Sequence, residues 1–198
     1  AMPLYNTGVA TRAELLEQIE EAPSLILKRL ANSKLADDKE IVLRAVRIDG
    51  TAIQWASPGL RADREVGLAA MRAHNEAFRW LSEELRGDRE VVMEATADGA
   101  DYCLQYASKA CRDDYEIVFH AMGEGGEGLE FASERLRSDE TIALESLTNC
   151  GNSSEFIGKE LMADRAFVLK AVAINSTALR DASAELQADR EVVMTAVR

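Results

Sequence analysis

The stretch Asp88-Arg89-Glu90-Val91-Val92-Met93-Glu94-Ala95 recurs along the chain. Copies of it, close or divergent, begin at Asp38, Asp63, Asp114, Asp139, Asp164 and Asp189. Consecutive leading aspartates lie 25 residues apart, except for one step of 26 that follows Asp88. Self-similarity at a fixed period of this length indicates a repeat architecture. The sequence therefore predicts tandem repeats, which we number one to seven by their leading aspartates.

Each repeat is predicted to begin with an α-helix at its aspartate. Asp is a favoured N-cap, and apolar residues recur three, four, seven and eight positions after it, as on one helix face. The fifth position is apolar as well, and this plus-five column contains Leu43, Leu68, Met93, Phe119, Leu144, Leu169 and Met194. So wide an apolar stripe predicts that the helix packs against neighbours on two sides.

The leading helix is predicted to end about twelve residues after the aspartate. Glycine or asparagine, which tolerate a left-handed C-cap, stands there as Gly50, Asn75, Gly99, Gly126 and Gly151. The remaining residues of a repeat allow a second element of only ~2 to 3 turns. The predicted fold is an all-α solenoid or superhelix, in which each repeat has one capped α-helix and one shorter helix.

We predict a single repeat-array domain over residues 1–198. Residues 1–37 read as a divergent helical pair, with a capping box at Thr11 and a second helix opening at Pro23. Residues 38–188 contain six repeats, and residues 189–198 begin a seventh. Because the chain stops inside that helix, before a capping repeat, we expect it to be part of a longer protein.

Charge and cysteine content limit the classes of partner and compartment. The net charge of −12 argues against nucleic acid and anionic membrane, which are bound by clustered Lys and Arg. The three cysteines lack C-x-x-C spacing, which favours reduced thiols in a reducing intracellular compartment. Cys103 and Cys111 stand at apolar positions and are predicted to be buried, whereas Cys150, beside a turn glycine, is predicted to be exposed. No apolar run approaches the ~20 residues of a membrane span.

The repeat consensus, D-x-E-V-V-x-x-A-V followed by G-x-A-L-x-x-A-S-x-x-L-R-x-D, resembles the domain-of-unknown-function family numbered forty-one sixteen. The resemblance covers roughly residues 33–198 and is closest at Asp88 to Val92, Leu104 to Ser108 and Arg112. The fifth repeat departs from it, with Gly158 replacing the serine and Met162 replacing the arginine. The resemblance implies tandem helical repeats and assigns no activity.

Aromatic residues occupy one position of five successive repeats: Trp55, Trp80, Tyr106, Phe131 and Phe156. They could form a groove of anchors for a partner peptide, since aromatic residues dominate interface hot spots. They could also pack each repeat onto the next, which we favour because Trp, Tyr and Phe substitute for one another here. On that interpretation Trp80→Ala costs ~3 to 5 kcal/mol of stability. Asp181 interrupts the column in the sixth repeat.

Arginines form a second column, two residues before the next aspartate: Arg61, Arg86, Arg112 and Arg137. A further set follows the aspartate: Arg64, Arg89, Arg165 and Arg190. Together they could hold phosphate or an acidic peptide by bidentate contacts. Alternatively each arginine pairs with a nearby Asp or Glu, which we favour given the excess of acidic residues.

The sixth position after the aspartate varies between repeats: Arg44, Ala69, Glu94, His120, Glu145 and Lys170. A constant core with such a variable surface column is how solenoids present a binding face. His74 and His120, the only histidines, occupy different repeat positions, and no catalytic motif is present. The segment from Gly123 to Gly128 lacks the G-K-[S/T] ending of a phosphate loop and is predicted to be a turn.

We therefore expect a non-enzymatic protein- or peptide-binding or scaffolding module, monomeric, without metal or cofactor. The candidate binding residues are the aromatic and arginine columns. One alternative is a regulatory module that binds a phosphorylated or anionic ligand through the arginines. Another is a structural spacer next to a catalytic domain.

Overall fold

The structure, a computed structural model, describes residues 12–31, 33–97, 101–122, 128–149 and 152–197. These residues form α-helices, 3₁₀-helices and connecting turns, with no strand among them. The all-α repeat fold predicted from the apolar spacing is thereby confirmed. By its internal contacts the chain divides into two compact units, residues 1–85 and 86–198.

The N-terminal unit begins with a helical pair and continues with the first two repeats. Its α-helices are Arg12–Glu21, Pro23–Leu30, Lys39–Ile48, Pro58–Arg61 and Arg64–Ala73. Its 3₁₀-helices are Lys34–Asp37, Gly50–Trp55 and Asn75–Trp80. The short helix Glu83–Gly87 contains the point at which the two units are divided. Pro23 opens the second helix, as predicted.

The C-terminal unit contains five leading helices: Arg89–Ala95, Tyr115–Ala121, Glu140–Asn149, Arg165–Ile174 and Arg190–Ala196. Between them lie the short α-helices Lys109–Arg112, Gly128–Phe131, Glu134–Arg137 and Ala184–Gln187. The 3₁₀-helices are Asp101–Tyr106, Ser153–Phe156, Leu161–Ala163 and Ser176–Arg180. None of the described helices combines the length and apolarity needed to cross a membrane.

Most repeats thus carry a short third element, because a serine starts a new turn after the second helix. Ser57 Oγ accepts a hydrogen bond from the backbone N–H of Leu60 at 3.2 Å, and Ser108 Oγ accepts one from Cys111 at the same distance. The serine is therefore the N-cap of a one-turn helix. The second element before it is usually a 3₁₀-helix, which is tighter than the α-helix and is used in short pieces.

The leading helices are capped by aspartate as predicted. Asp63 Oδ1 accepts hydrogen bonds from the backbone N–H groups of Glu65 at 3.0 Å and Val66 at 3.2 Å. The predicted left-handed C-cap is wrong for Gly50 and Asn75, which instead begin 3₁₀-helices. Asp49, His74 and Asn175 follow their helices with extended backbones, at φ of −135°, −152° and −143°.

Gly50 is required for close packing. A Cβ atom there would lie 2.1 Å from the carbonyl oxygen of Ala70 in the next leading helix. Several other predictions fall outside the described residues: the capping box at Thr11, the helix ends at Gly99, Gly126 and Gly151, the turn at 123–127 and the exposure of Cys150.

The core follows the predicted positions three, four, seven and eight. In the first repeat these are Ile41, Val42, Ala45 and Val46, which are fully buried. The prediction of burial also holds for the thiols, since Cys103 and Cys111 are buried in the C-terminal unit. The plus-five column behaves differently, because Phe119 and Met194 are exposed. At these residues position five is an apolar surface rather than the predicted second packing face.

Successive repeats are also joined by a backbone hydrogen bond. The N–H of the serine position donates to a carbonyl 21 or 22 residues earlier, as Ser82 does to Arg61 at 3.0 Å. The bond persists at Gly158, which donates to Arg137 at 2.8 Å, because it needs no side chain. Glycine replaces serine there since a Cβ would lie 2.2 Å from Ser138 Oγ.

Candidate binding surface

The aromatic column lies at the ends of the second helices, and its members are half-buried. The fully buried position is two residues earlier, where Ile53, Phe78, Leu104 and Leu129 stand. Two of the rings carry a cation: Lys28 Nζ lies 5.1 Å from the ring centre of Trp55, and Arg79 Cζ lies 4.8 Å from that of Trp80. The aromatic column therefore covers the packing between repeats from outside rather than forming its centre.

Asp181, which interrupts the aromatic column, is held by polar contacts. It accepts a hydrogen bond of 2.5 Å from Ser154 Oγ and pairs with Arg180 at 3.2 Å. Ser154 is buried at the position that Phe78 and Leu104 occupy in other repeats. A buried serine requires a hydrogen-bond partner, and Asp181 supplies it.

Two members of the arginine column contact backbone carbonyls of the following repeat. Arg86 Nη1 donates to the carbonyl oxygen of Tyr106 at 3.3 Å, and Arg137 Nε donates to that of Phe156 at 2.5 Å. The Nε atoms of Arg61, Arg86 and Arg112 are buried without a hydrogen-bond partner among the described residues. None of the four arginines forms an ion pair with a described carboxylate, so carboxylate pairing is wrong for this column.

Residues one position after the aspartate do form the expected ion pairs. Lys39 Nζ contacts Asp63 at 2.8 Å and Glu65 at 3.0 Å. In the C-terminal unit, Arg165 contacts Asp189 at 2.9 Å and Glu191 at 2.5 Å, and Arg89 contacts Asp114 and Glu116 in the same way. Each cation thus reaches the capping aspartate and first-turn glutamate of the next repeat. We call this set of contacts the ion-pair ladder.

The ladder is interrupted in the fourth and fifth repeats, where Tyr115 and Glu140 replace the basic residue. Glu140 instead accepts a hydrogen bond of 2.7 Å from Lys170. Asp139 still caps its helix, accepting from the N–H of Ile142 at 3.0 Å. No cation contacts Asp139 in the part of the chain that the structure describes.

A pocket opens at this interruption. Tyr115 and Phe119 are each 42% exposed, and their rings stack with centres 5.9 Å apart and planes 10° apart. They meet because residues four apart lie on one face of a helix. The cavity has a volume of about 450 Å³, and we call it the aromatic pocket. Its lining residues are Met93, Tyr115, Glu116, Phe119, His120, Glu145 and Asn149.

Polar side chains surround the stacked rings. His120 Nδ1 lies 3.3 Å from Oγ1 of the buried Thr96, and Asn149 Nδ2 donates to the carbonyl oxygen of Met122 at 3.0 Å. Glu116 is paired with Arg89. Glu145 has no ionic partner among the described residues. The pocket therefore combines an apolar aromatic wall with a carboxylate that no cation of the described ranges neutralises.

The pocket brings together His120 and Glu145, which the sequence had placed in the variable surface column, and Phe119, which it had placed in the plus-five packing column. None of the predicted aromatic or arginine column lines it. Sequence reasoning missed Tyr115, although the replacement of a basic residue by tyrosine at one ladder position was a visible signal. No three His, Cys, Asp or Glu side chains within the described ranges are arranged to hold a metal ion.

Comparison with protein-family models matches the repeats to the domain of unknown function DUF4116, over residues 29–61, 38–86, 63–112, 114–162 and 164–198. Neither curated proteins nor solved structures give a significant match. Because the matched segments overlap and together span all the repeats, the chain belongs to the DUF4116 family, as its repeat consensus predicted.

Proposed function

We propose that this chain is a non-enzymatic repeat module that binds a peptide segment of a partner protein in the aromatic pocket. The observation that carries the proposal is the stacked, exposed pair of Tyr115 and Phe119 at the cavity. Aromatic residues in a concave, desolvated setting dominate the energetics of protein interfaces. A cavity of about 450 Å³ lies within the ~300 to 1,000 Å³ of ligand pockets.

Stability does not explain these two side chains. Leaving an aromatic ring exposed forgoes about 25 cal/mol for each Å² of apolar surface that burial would remove from water. Five of the other repeats have Lys or Arg at the position of Tyr115 and the fifth repeat has Glu140, while all of them have Leu or Met at the position of Phe119. The larger, exposed aromatics in the fourth repeat are therefore better explained by contact with a partner.

The alternative of an anionic ligand held by the arginine column has less support. Arg86 and Arg137 already donate to backbone carbonyls of the following repeat. An anion would have to compete with those bonds for the same guanidinium groups.

Selection from a random 12-residue peptide display library, followed by affinity measurements, tests the proposal. We expect selected peptides to bind Tyr115→Ala and Phe119→Ala at least roughly tenfold more weakly, as hot-spot truncations do. Met194→Ala is the matched control, because Met194 is an exposed plus-five residue of the same unit and does not line the pocket. Its affinity should stay within about twofold of wild type.

Thermal unfolding of each variant serves as the folding control. The melting temperatures should match wild type, because the truncated side chains are exposed. Failure to select any peptide, or selected peptides that bind the Tyr115→Ala and Phe119→Ala proteins as tightly as wild type, would overturn the proposal.

A further inference from the structure

We infer that the segment bound in the aromatic pocket carries an arginine or lysine beside an apolar side chain. This inference rests on the proposed function, since it concerns the partner of the same site. It follows from the carboxylates that have no described cation where the ion-pair ladder is interrupted, and from the shape of the aromatic wall.

The stretch of sequence that supplies most of the lining residues is strongly acidic. Between residues 114 and 149 there are nine Asp and Glu residues and two Arg, with no Lys. In the first, third and sixth repeats a basic residue reaches forward to the next capping aspartate, as Arg89 does to Asp114. At the fourth repeat Tyr115 supplies no such charge. A cation from outside the chain is therefore electrostatically favoured here.

Two carboxylates of the fifth repeat lack a cation among the described residues, namely Asp139 and Glu145. They lie six residues apart in one helical segment, which corresponds to about 9 Å along a helix axis. Lys170, which reaches back to the fifth repeat, is paired with Glu140. Of these two carboxylates, Glu145 is part of the pocket wall.

The aromatic wall accommodates both parts of such a segment. An apolar side chain packs against Phe119 and Met93, while a guanidinium or ammonium group lies over the ring of Tyr115 and meets Glu145. Cations within about 6 Å of an aromatic ring centre are attracted by its quadrupole. The chain uses this contact itself, since Arg79 lies over Trp80.

Asn149 supplies a further contact for the backbone of the segment. Its Nδ2 donates to the carbonyl of Met122, which fixes the orientation of the amide. Its Oδ1 has no hydrogen-bond donor among the described residues and can accept from a peptide N–H.

The test uses three random 12-residue peptide libraries that share a fixed central Leu-Phe pair. The pair is flanked by two Arg in the first library, two Gln in the second and two Glu in the third. We expect wild-type protein to retain the arginine library preferentially. For peptides selected from it, Glu145→Gln should weaken binding roughly two- to fivefold, as for a partly exposed ion pair. Glu145→Lys should weaken it roughly tenfold or more, because like charges would then face each other.

Glu185→Gln is the control, because Glu185 is an exposed glutamate of the same unit that does not line the pocket. It should leave the affinity unchanged. Equal retention of the three libraries, or insensitivity of the selected peptides to Glu145→Lys, would overturn the inference. If Tyr115→Ala nevertheless abolishes binding of the selected peptides, the aromatic pocket is still the peptide site, but it does not prefer basic peptides. If Tyr115→Ala leaves peptide binding unchanged, or if no library is retained, both the proposed function and this inference are contradicted.

Discussion

At the scale of single residues, burial separates two aromatics of the 3₁₀-helix Asn75–Trp80. Phe78 is fully buried, whereas Trp80 is half-buried under Arg79. We expect Phe78→Ala to lower the free energy of unfolding by about 3 to 5 kcal/mol, as core truncations do. Trp80→Ala should cost less, in contrast to the expectation from the sequence alone. Urea denaturation measures both, and a larger loss for Trp80 would show that the aromatic column is the main packing contact.

Two glycines of the first repeat differ in the space around them. A Cβ at Gly50 would lie 2.1 Å from the carbonyl oxygen of Ala70, whereas one at Gly59 would meet nothing nearer than 3.8 Å. We expect Gly50→Ala to destabilise by at least ~1 to 3 kcal/mol, since backbone must move. Gly59→Ala, the control, should be neutral or stabilising by up to ~1 kcal/mol. Similar melting temperatures for the two variants would contradict this account.

At the scale of the element, one aspartate both caps its own helix and pairs with a lysine of the preceding repeat. Asp63 accepts from two N–H groups of its own helix and from Lys39. Asp63→Ala removes both functions and should cost ~0.5 to 2 kcal/mol, as loss of an N-cap does. Asp63→Asn keeps an oxygen for the cap and should be milder. Chemical denaturation of the two variants separates capping from ion pairing, and equal losses would mean that capping contributes little.

The same residue predicts a pH dependence. The hydrogen bond from Lys39, more than any other contact, lowers the pKa of Asp63, assisted by the backbone N–H groups of its helix. Its stabilising contribution is therefore fully present above the unfolded-state pKa of about 3.9 and is lost as pH falls through the lower folded-state pKa. We expect the drop in melting temperature between pH 7 and roughly pH 2.5 to be smaller in Asp63→Asn than in wild type. An identical drop in the two proteins would mean that Asp63 does not contribute to the loss of stability at low pH.

At the scale of the whole molecule, the ladder and the pocket are alternative uses of one repeat position. Tyr115→Arg restores the basic residue, which should contact Asp139 as Arg89 contacts Asp114. We expect stability to be unchanged or higher by up to ~1 kcal/mol, as for an exposed ion pair. Binding of pocket-selected peptides should be lost, because the stacked pair is gone. Retained binding in a folded Tyr115→Arg protein would mean that Tyr115 is not part of the binding surface.

The sequence by itself determined the repeat, the all-α fold, the aspartate caps, the four buried positions and the burial of Cys103 and Cys111. These follow from the repeat period and from local helix chemistry. The local chemistry acts within about one helical turn. The contacts that a side chain makes in the next repeat, 19 to 27 residues away, could not be derived from this local chemistry. Arg89 and Arg165 were correctly expected to meet carboxylates, but Arg86 and Arg137 bond to carbonyls instead.

Only the tertiary structure decided why Gly50 is glycine, which aromatics are exposed and where the pocket opens. Each depends on the register of one repeat against the next, which places Ala70 against Gly50 and brings Met93, Phe119 and Glu145 to one cavity. Residue type does not specify that register, because similar side chains at equivalent positions can be covered or exposed. Leu144 is half-buried and Phe119 exposed at the same position five for this reason.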